Sequence, residues 1–273
     1  MEELNDKELK KRLLNVMVQC RDLCNKYHLD YSLVGGTLLG AIRHKGFIPW
    51  DDDVDIAMAR PTYEKMIKIF SKKGVLPSNL KLMGFDIGNS IYPFIKIVDT
   101  NTKVVEQTSD EKMGVWIDIF PIDGLPSNSR KIKKIYKEAN FLHSLLTLIP
   151  SKKEASTEIK GLIKPFAIFI AKNVLGYVRI NKWCMQLCQS YSYDNCENVG
   201  CIIWGRAHEK EVMRKKDFEN KIDVVFENEK FKAFSCYNYY LTNLYGNYMK
   251  LPPEKEREHH FSKAYVNEEE NEK

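Results

Sequence analysis

The chain has 273 residues, of which 44% are hydrophobic and 29% charged, and a formal net charge of +5 at pH 7. These proportions are ordinary for a soluble globular protein with a sizeable core, and the charge alone is too small to predict nucleic-acid binding. The length predicts one large domain or a domain with an elaborate insertion. Seven cysteines, none in a Cys-x-x-Cys pair, indicate reduced thiols in a cytoplasm.

The sequence predicts no membrane-spanning helix. The first residues lack the basic start and the apolar run of a secretory signal. The longest apolar run, residues 165–171, is far shorter than the roughly 20 residues that a spanning helix needs. We therefore expect a cytoplasmic protein whose membrane contact, if any, is peripheral and at the inner face.

Residues 5–28 predict an amphipathic helix. Asn5 and Glu8 have the spacing of a capping box. The apolar residues that then recur at helical spacing are Leu9, Leu13, Val16, Met17, Cys20, Leu23, Cys24 and Tyr27. Cys20 and Cys24 lie on this stripe and are predicted to be core residues rather than ligands. A short strand follows at residues 31–34.

An acidic run follows a glycine pair, Gly35-Gly36, and a short helix that Thr37 is predicted to cap and that runs through Arg43. In a strand, Asp51, Asp53 and Asp55 would share one face, while Val54 and Ile56 would point into the core. Carboxylates about 4 Å apart repel by roughly 4 kcal/mol per pair at an effective dielectric near 20.

This repulsion requires an offset, which a bound cation, neighbouring Arg or Lys residues or protonation can supply. We favour a Mg²⁺ or Mn²⁺ site, because carboxylate oxygens suit hard cations. The alternative is a solvated acidic turn.

Three further elements are predicted downstream. Pro61 opens a helix, and residues 91–98 and 103–106 predict a hairpin. Residues 115–120 alternate, so that Asp118 faces away from Ile117 and its apolar neighbours. An ionised Asp in such a strand is costly unless it is paired or bound to metal. Asp118 is therefore the candidate for a further catalytic carboxylate, and a solvent-facing edge strand is the alternative.

The composition changes near residue 127, which divides the chain into a catalytic core at residues 1–126 and a mainly helical region at 127–265. Residues 266–273 are predicted to be a disordered tail. The helical region begins with a basic stretch formed by Arg130, Lys131, Lys133, Lys134 and Lys137. We interpret this stretch as a solvated helix face, and contact with phosphate or with a membrane is the alternative. The later cysteines, from Cys184 to Cys201, match no usual zinc spacing, and the sequence does not decide whether they bind zinc.

Two competing explanations of the acidic run are weaker. In an EF-hand register, Ile56 falls where the loop needs Gly, and Thr62 falls where it needs the bidentate Glu. A sugar-nucleotide glycosyltransferase also carries an Asp-x-Asp motif, but such enzymes usually build a nucleotide-binding βαβ region first, and only one helix and one strand are predicted before Asp53.

The run Gly35-Gly36-Thr37-Leu38-Leu39-Gly40-Ala41-Ile42-Arg43-His44, followed by Gly46-Phe47-Ile48-Pro49-Trp50-Asp51-Asp52-Asp53-Val54-Asp55-Ile56, resembles the LicD family. Ile117-Asp118-Ile119-Phe120-Pro121-Ile122-Asp123 resembles its second motif, and Tyr245-Gly246-Asn247-Tyr248 through Leu251-Pro252-Pro253 resembles its C-terminal segment. The resemblance implies a nucleotidyltransferase-type α+β fold, in which a small mixed β-sheet is flanked by helices and elaborated by a helical half.

The same resemblance implies roles for the carboxylates. Asp53 and Asp55 would bind Mg²⁺ or Mn²⁺, and Asp118 would be a metal ligand or the general base. Asp51 would be an alternative ligand. Gly35 and Gly36 leave no side chain to block a diphosphate at the N-terminus of the following helix, which favours an anion. The other residues predicted to bind phosphate are Thr37, Arg43, His44 and Lys45. The three cations of this set are equally explained as ordinary helix-end charges.

The implied reaction transfers a phospho-alcohol such as phosphocholine from a CDP-activated donor to a glycan hydroxyl. The acceptor would be a free or lipid-linked precursor of teichoic acid, lipopolysaccharide or capsule. Two alternatives remain: transfer of a nucleotide monophosphate from an NTP to a small hydroxylated compound, and a non-catalytic binding protein on the same fold. An aromatic cage for a quaternary ammonium would draw on Trp50, Trp116, Tyr92 or Tyr245.

Overall fold

The structure is a computed structural model that describes residues 2–105, 113–148, 170–205, 207–254, 257 and 263–267. The described α-helices are α1 (Asp6–Lys26), α2 (Gly35–Arg43), α3 (Arg60–Phe70), α4 (Ser129–Leu148), α5 (Gly176–Cys188), α6 (Lys215–Glu219) and α7 (Tyr237–Tyr245). The described strands are β1 (Ser32–Leu33), β2 (Asp55–Ala59), β3 (Leu80–Met83), β4 (Ile95–Asp99), β5 (Thr102–Val105), β6 (Trp116–Leu125), β7 (Asn198–Gly200), β8 (Met213–Arg214), β9 (Lys221–Phe226), β10 (Glu229–Phe234) and β11 (Lys263–Val266).

The largest sheet is mixed. Its strands follow the order β1-β2-β6-β4-β3, and β7 pairs with the distal part of β6 and with β8. β2 and β6 run parallel, whereas the other described pairs of this sheet are antiparallel. Together with the surrounding helices, this sheet confirms the predicted α+β class.

Helix α1 forms where the sequence predicts it. The Asn5 side chain accepts a hydrogen bond from the Glu8 backbone N–H at 3.0 Å, and the Glu8 carboxylate accepts one from the Asn5 N–H at 2.9 Å, which completes the capping box. The predicted apolar stripe is buried through Cys24, so Cys20 and Cys24 are core residues. The helix packs against β4 and β6 and supports the sheet that carries the acidic residues.

The predicted hairpin of residues 91–98 and 103–106 is wrong. β4 is flanked by β3 and β6, so no edge of β4 is open to β5, and β5 pairs with β11 instead. Glu106 lies outside the described residues. The predicted disordered tail also began too early, because Val266 is the last residue of β11; residues 268–273 are outside the described part of the chain.

The second half contains more than helices. α4 and α5 lie in the region predicted to be helical and pack around a core of their own, whereas the hairpin of β9 and β10 was not predicted. Glu227 and Asn228 at its turn both have positive φ (51° and 65°), as in a type I′ turn. The hairpin buries Phe226 and Phe234 in the main core.

Some predictions for the second half remain open. The division at residue 127 stays a prediction, and the polar break predicted near residues 151–158 is outside the described residues. Within the described residues, every helix is too short or too polar to cross a bilayer.

Three neighbouring strands place charged side chains in one cross-strand row. Asp55 of β2 lies opposite Asp118 of β6, and Asp118 lies opposite Lys96 of β4. Residues opposite each other on paired strands point to the same face. The Lys96 Nζ lies 2.6 Å from the Asp118 Oδ1, so the row ends in a close ion pair.

Lys96 is buried beneath aromatic rings. Its side chain is 5% exposed, and its ammonium lies 4.4 Å from the ring centre of Trp116, 4.8 Å from that of Tyr92 and 5.0 Å from that of Phe94. Such ring faces attract a cation, and more strongly where water is excluded. The rings and the carboxylate of Asp118 together offset the cost of burying the ammonium.

We predict that Lys96→Met destabilises the protein more than Asp118→Asn does. Lys96→Met leaves Asp118 beside Asp55 without its counter-charge, and loss of one partner of a buried pair costs about 3 kcal/mol. Asp118→Asn keeps an acceptor oxygen for Lys96 and leaves the ring contacts intact, so we expect a loss of about 1 kcal/mol. Denaturant unfolding in EDTA measures both changes.

Lys65→Met, on the exposed face of α3, is the matched control and should change the free energy of unfolding by less than about 0.5 kcal/mol. A loss for Lys96→Met no larger than that for Asp118→Asn would contradict this explanation of the pair.

Candidate active site

A cavity of about 780 Å³ opens beside the parallel strands β2 and β6. The predicted carboxylates of Asp51, Asp53, Asp55 and Asp118 all line it. The sequence motifs from the start and the middle of the chain thus converge on one concave surface. A pocket of this size with convergent charged groups is the usual form of a small-molecule site.

The acidic run reaches the cavity partly as a loop. β2 begins only at Asp55, so the prediction that Asp51 and Asp53 lie in a strand is wrong. The alternation still holds, because Asp51 and Asp53 line the cavity whereas Asp52 and Val54 are buried at 4% and 1% exposure. The loop therefore presents its odd-numbered carboxylates to the cavity.

The glycine pair forms the first turn of α2. The helix begins at Gly35, with Val34 as its N-cap, so the prediction that Thr37 caps the helix is wrong. A Cβ on Gly36 would lie 2.5 Å from the Asp51 Oδ2, and one on Gly35 would lie 3.1 Å from the Asp55 Oδ2. The missing side chains thus admit two carboxylates to the helix N-terminus, whose partial positive charge stabilises them.

Gly35 is also constrained by its backbone. Its φ of 55° lies in the left-handed region that favours glycine, and its N–H donates to the Tyr240 hydroxyl at 3.4 Å. Tyr240 is buried, and burial raises the pKa of its phenol well above the usual value, which keeps the hydroxyl protonated. Helix α7 thereby fixes the start of α2.

Among the predicted phosphate-binding residues, Gly35, Gly36 and Arg43 line the cavity. Thr37 lies behind it, 2% exposed, and its Oγ1 accepts the Asp55 N–H at 2.8 Å, which ties α2 to β2.

The two remaining cations of the predicted phosphate set, His44 and Lys45, lie outside the cavity lining. His44 accepts the Arg43 Nε–H at 2.9 Å. Burial and the charge of Arg43 lower the pKa of His44, in keeping with a neutral acceptor. Lys45 is exposed beyond the helix end, with a φ of 62°.

The C-terminal motif forms the opposite wall. Tyr245, Asn247, Tyr248 and the stretch from Lys250 to Pro253 line the cavity. Arg43 joins this wall to α2, because its Nη1 donates to the Tyr248 carbonyl at 2.8 Å.

Arg257, which follows this wall in the sequence, packs on Trp50, the residue before the acidic run. The Arg257 guanidinium lies 4.5 Å from the ring centre of Trp50, which itself lines the cavity.

The cavity combines acidic and basic surfaces. Among the described residues that line it, the acidic ones are the four predicted carboxylates and Glu211, and the basic ones are Arg43 and Lys250. Burial lowers the pKa of Arg43. The cavity therefore presents carboxylates and cationic side chains to the same space.

The donor set suits a divalent cation in chemistry, although the described residues form no preformed cage. Within the described ranges, no group of three or more His, Cys, Asp or Glu side chains is arranged to hold a metal ion. Mg²⁺ usually takes one or two carboxylates, several waters and substrate phosphates rather than an all-protein cage. The clustered Asp oxygens therefore fit a metal that binds together with a phosphorylated substrate.

The second motif contributes one carboxylate to the site and one to the core. Asp123 lies five residues after Asp118, an odd offset that places it on the opposite face of β6. It is 1% exposed and accepts hydrogen bonds from the Arg60 Nε and Nη2 at 2.6 and 2.8 Å. Asp123 therefore fixes α3 to the sheet.

Sequence reasoning missed several residues of the site. Glu211 and Tyr240 line the cavity without belonging to a pattern that would single them out, and Lys250 lies inside the C-terminal motif but is not itself among the predicted site residues. Lys96 had a signal, since it lies between Ile95 and Ile97 in an apolar strand, and a buried charge requires a partner. The argument that selected Asp118 applies equally to Lys96.

The other ligand candidates separate clearly. Of the aromatic cage candidates, Trp50 and Tyr245 line the cavity, whereas Tyr92 and Trp116 surround Lys96.

Burial raises the thiol pKa values of the later cysteines Cys184, Cys188, Cys196 and Cys201. These thiols belong to no metal-binding cluster in the described part of the chain.

Comparisons with known proteins agree with the motif resemblance. The LicD/FKTN/FKRP nucleotidyltransferase domain model matches residues 28–145, which include α2, the acidic run and β6. The lipopolysaccharide cholinephosphotransferase LicD of Haemophilus influenzae is 30% identical over 274 residues, covering 97% of this chain and 100% of that protein. An uncharacterized protein of Rickettsia typhi is 31% identical over 130 residues, covering 47% of this chain and 40% of that protein. From the shared domain and the end-to-end match with the Haemophilus protein, we conclude that this chain belongs to the LicD family.

Proposed function

We propose that this protein is a phosphotransferase that moves phosphocholine, or a similar phospho-alcohol, from a CDP-activated donor to a hydroxyl of a cell-surface glycan. The observation that carries the proposal is the convergence of Asp51, Asp53, Asp55 and Asp118 on one cavity closed by the C-terminal motif. The match with a lipopolysaccharide cholinephosphotransferase along nearly the whole chain supports the same activity.

The transfer needs a base and charge neutralisation. The acceptor hydroxyl oxygen forms a bond to the phosphorus of the phospho-alcohol, the bond from that phosphorus to the bridging oxygen breaks, and CMP leaves with the bridging oxygen. Asp118 would accept the hydroxyl proton. Arg43 and Lys250 would hold the donor's diphosphate, Arg43 with the fixed geometry of its guanidinium.

Asp53 and Asp55 would hold Mg²⁺ or Mn²⁺, with Asp51 as an alternative ligand and Asp118 as a further one if it is not the base. A divalent cation supplies charge neutralisation at a transferring phosphate. The N-terminus of α2 holds Asp51 and Asp55 in place before substrate arrives, and Lys96 holds Asp118. Positioning and charge neutralisation supply most of the rate in phosphoryl transfer.

The alcohol and the acceptor would be selected elsewhere in the cavity. Trp50 and Tyr245 line it and would offer ring faces to a quaternary ammonium group. The acceptor would be a free or lipid-linked precursor of teichoic acid, lipopolysaccharide or capsule. A CDP-activated donor and such a precursor would meet in the cytoplasm or at the inner face of the membrane.

We predict CMP and a glycan phosphodiester as products in equal amounts when the protein is incubated with CDP-choline, Mg²⁺ and lipopolysaccharide acceptor. CDP-ribitol and nucleoside triphosphates are assayed in parallel, and mass spectrometry identifies the nucleotide products. Asp53→Asn is the inactive control. Pyrophosphate release from an NTP, with no CMP from any CDP-alcohol, would replace the proposed reaction with nucleotidyl transfer.

We predict that Asp53→Asn, Asp55→Asn or Asp118→Asn each lowers kcat at least about a hundredfold, the scale expected for loss of a metal ligand or base. The matched control is Asp194→Asn, because Asp194 is exposed and outside the cavity lining. Turnover is measured at saturating Mg²⁺. If one of the three variants turns over like the wild type, the residue that it replaces has no part in the mechanism.

We predict that metal reverses the order of thermal stability of the wild type and Asp53→Asn. In EDTA the variant should melt at the same or a higher temperature, because one repulsive charge is gone. Excess Mg²⁺ with CDP-choline should stabilise the wild type, by about 2.7 kcal/mol at a hundred times the Kd, and the variant far less. Equal stabilisation of both proteins would place the metal elsewhere.

A further inference from the structure

The outward face of α4 carries a basic and apolar stripe. Arg130, Lys134, Lys137 and Phe141 follow one another at steps of three and four residues and so lie on one side of the helix. All four are exposed, and Phe141 is 64% exposed. The opposite side of the helix is buried, so the stripe is the surface that this part of the fold presents to its surroundings.

A neighbouring helix adds a second aromatic residue. Trp183 of α5 is 39% exposed, and an open groove of about 770 Å³ runs between the two helices. Its lining includes Trp183, Phe141, Leu142 and Leu187, with Lys134 and Lys137 on the α4 side. Single exposed apolar residues are common, but a shared groove of two aromatic rings edged by lysines indicates an interaction surface.

The charge of this surface is positive. The first half of α4 contains Arg130, Lys131, Lys133, Lys134 and Lys137. Glu138 lies 3.7 Å from Lys134, and both side chains are mostly exposed, so this pair is weak and leaves the face basic. The complementary partner is therefore an anionic one that also accepts aromatic rings.

We propose that this face docks on an anionic lipid bilayer. Each Lys or Arg near an anionic membrane surface contributes about 1 kcal/mol of attraction. Trp and Phe insert at the boundary between headgroups and acyl chains, and lysine stems extend along apolar surface while their charges stay with the headgroups. The basic stripe therefore matches the charged headgroups, and the aromatic groove matches the boundary between headgroups and acyl chains.

The docking face is connected to the cavity through α4. His143 on this helix has its ring centre 4.5 Å from that of Trp204, and Trp204 lines the cavity. A membrane-bound α4 would therefore hold the cavity near the bilayer, where a lipid-linked acceptor is available. The docking itself does not depend on the proposed reaction.

Sedimentation with vesicles tests the proposal. Wild-type protein should bind vesicles of phosphatidylcholine mixed with phosphatidylglycerol and bind phosphatidylcholine alone weakly. Lys134→Gln/Lys137→Gln should lower the partition coefficient about thirtyfold, which corresponds to about 2 kcal/mol for two charges. The matched control is Lys65→Gln/Lys68→Gln on α3, which removes two exposed lysines at the same spacing and should bind like the wild type.

Two further variants test the aromatic groove. Phe141→Ser should weaken binding to the mixed vesicles, and Trp183→Phe should abolish a blue shift of tryptophan fluorescence that the wild type shows on binding. All replaced side chains are exposed, so circular dichroism should show unchanged folding. No binding of the wild type to mixed vesicles, or equal losses in both lysine double variants, would overturn the proposal. These vesicles contain no glycan, so the result is independent of whether the phosphotransferase assay succeeds.

Discussion

The parallel pairing of β2 with β6 is the constraint on which the candidate site depends. Its register places Asp55 beside Asp118, and the antiparallel pairing of β4 on the other side of β6 places Lys96 beside Asp118. Two adjacent carboxylates repel, and the fold offsets this with a buried ammonium under aromatic rings at one end and a helix N-terminus at the other. The acidic surface is therefore built before any substrate binds.

Distant parts of the chain hold this arrangement. The Glu227 carboxylate at the tip of the β9–β10 hairpin accepts the Phe47 N–H at 3.0 Å, which fixes the loop between α2 and the acidic run. Tyr240 of α7 bonds the start of α2, and Arg43 at its end bonds the C-terminal wall. The second half thus supports the cavity from three directions, although its sequence carries few recognisable motifs.

The sequence predicts this structure well where a local pattern decides it. Alternation in β6 identified Asp118, and the capping box at Asn5 identified α1, because both depend on a few neighbouring residues. Strand pairing depends on which edges remain open after folding, so the partner of β4 was predicted wrongly and the β9–β10 hairpin was missed. The sequence predicts Thr37 as a helix cap and phosphate donor, whereas its hydroxyl accepts a hydrogen bond from the Asp55 backbone N–H, a contact that only the tertiary fold reveals.

The central claim is that the acidic loop and β2 hold a cation beside a diphosphate in this cavity. Anomalous diffraction from crystals grown with Mn²⁺ and CDP-choline tests it most directly. We predict an anomalous peak within bonding distance of the Asp53 and Asp55 carboxylates and of the diphosphate, which Arg43 or Lys250 contacts. A peak away from these two residues, or a nucleotide bound outside the cavity, would contradict the account.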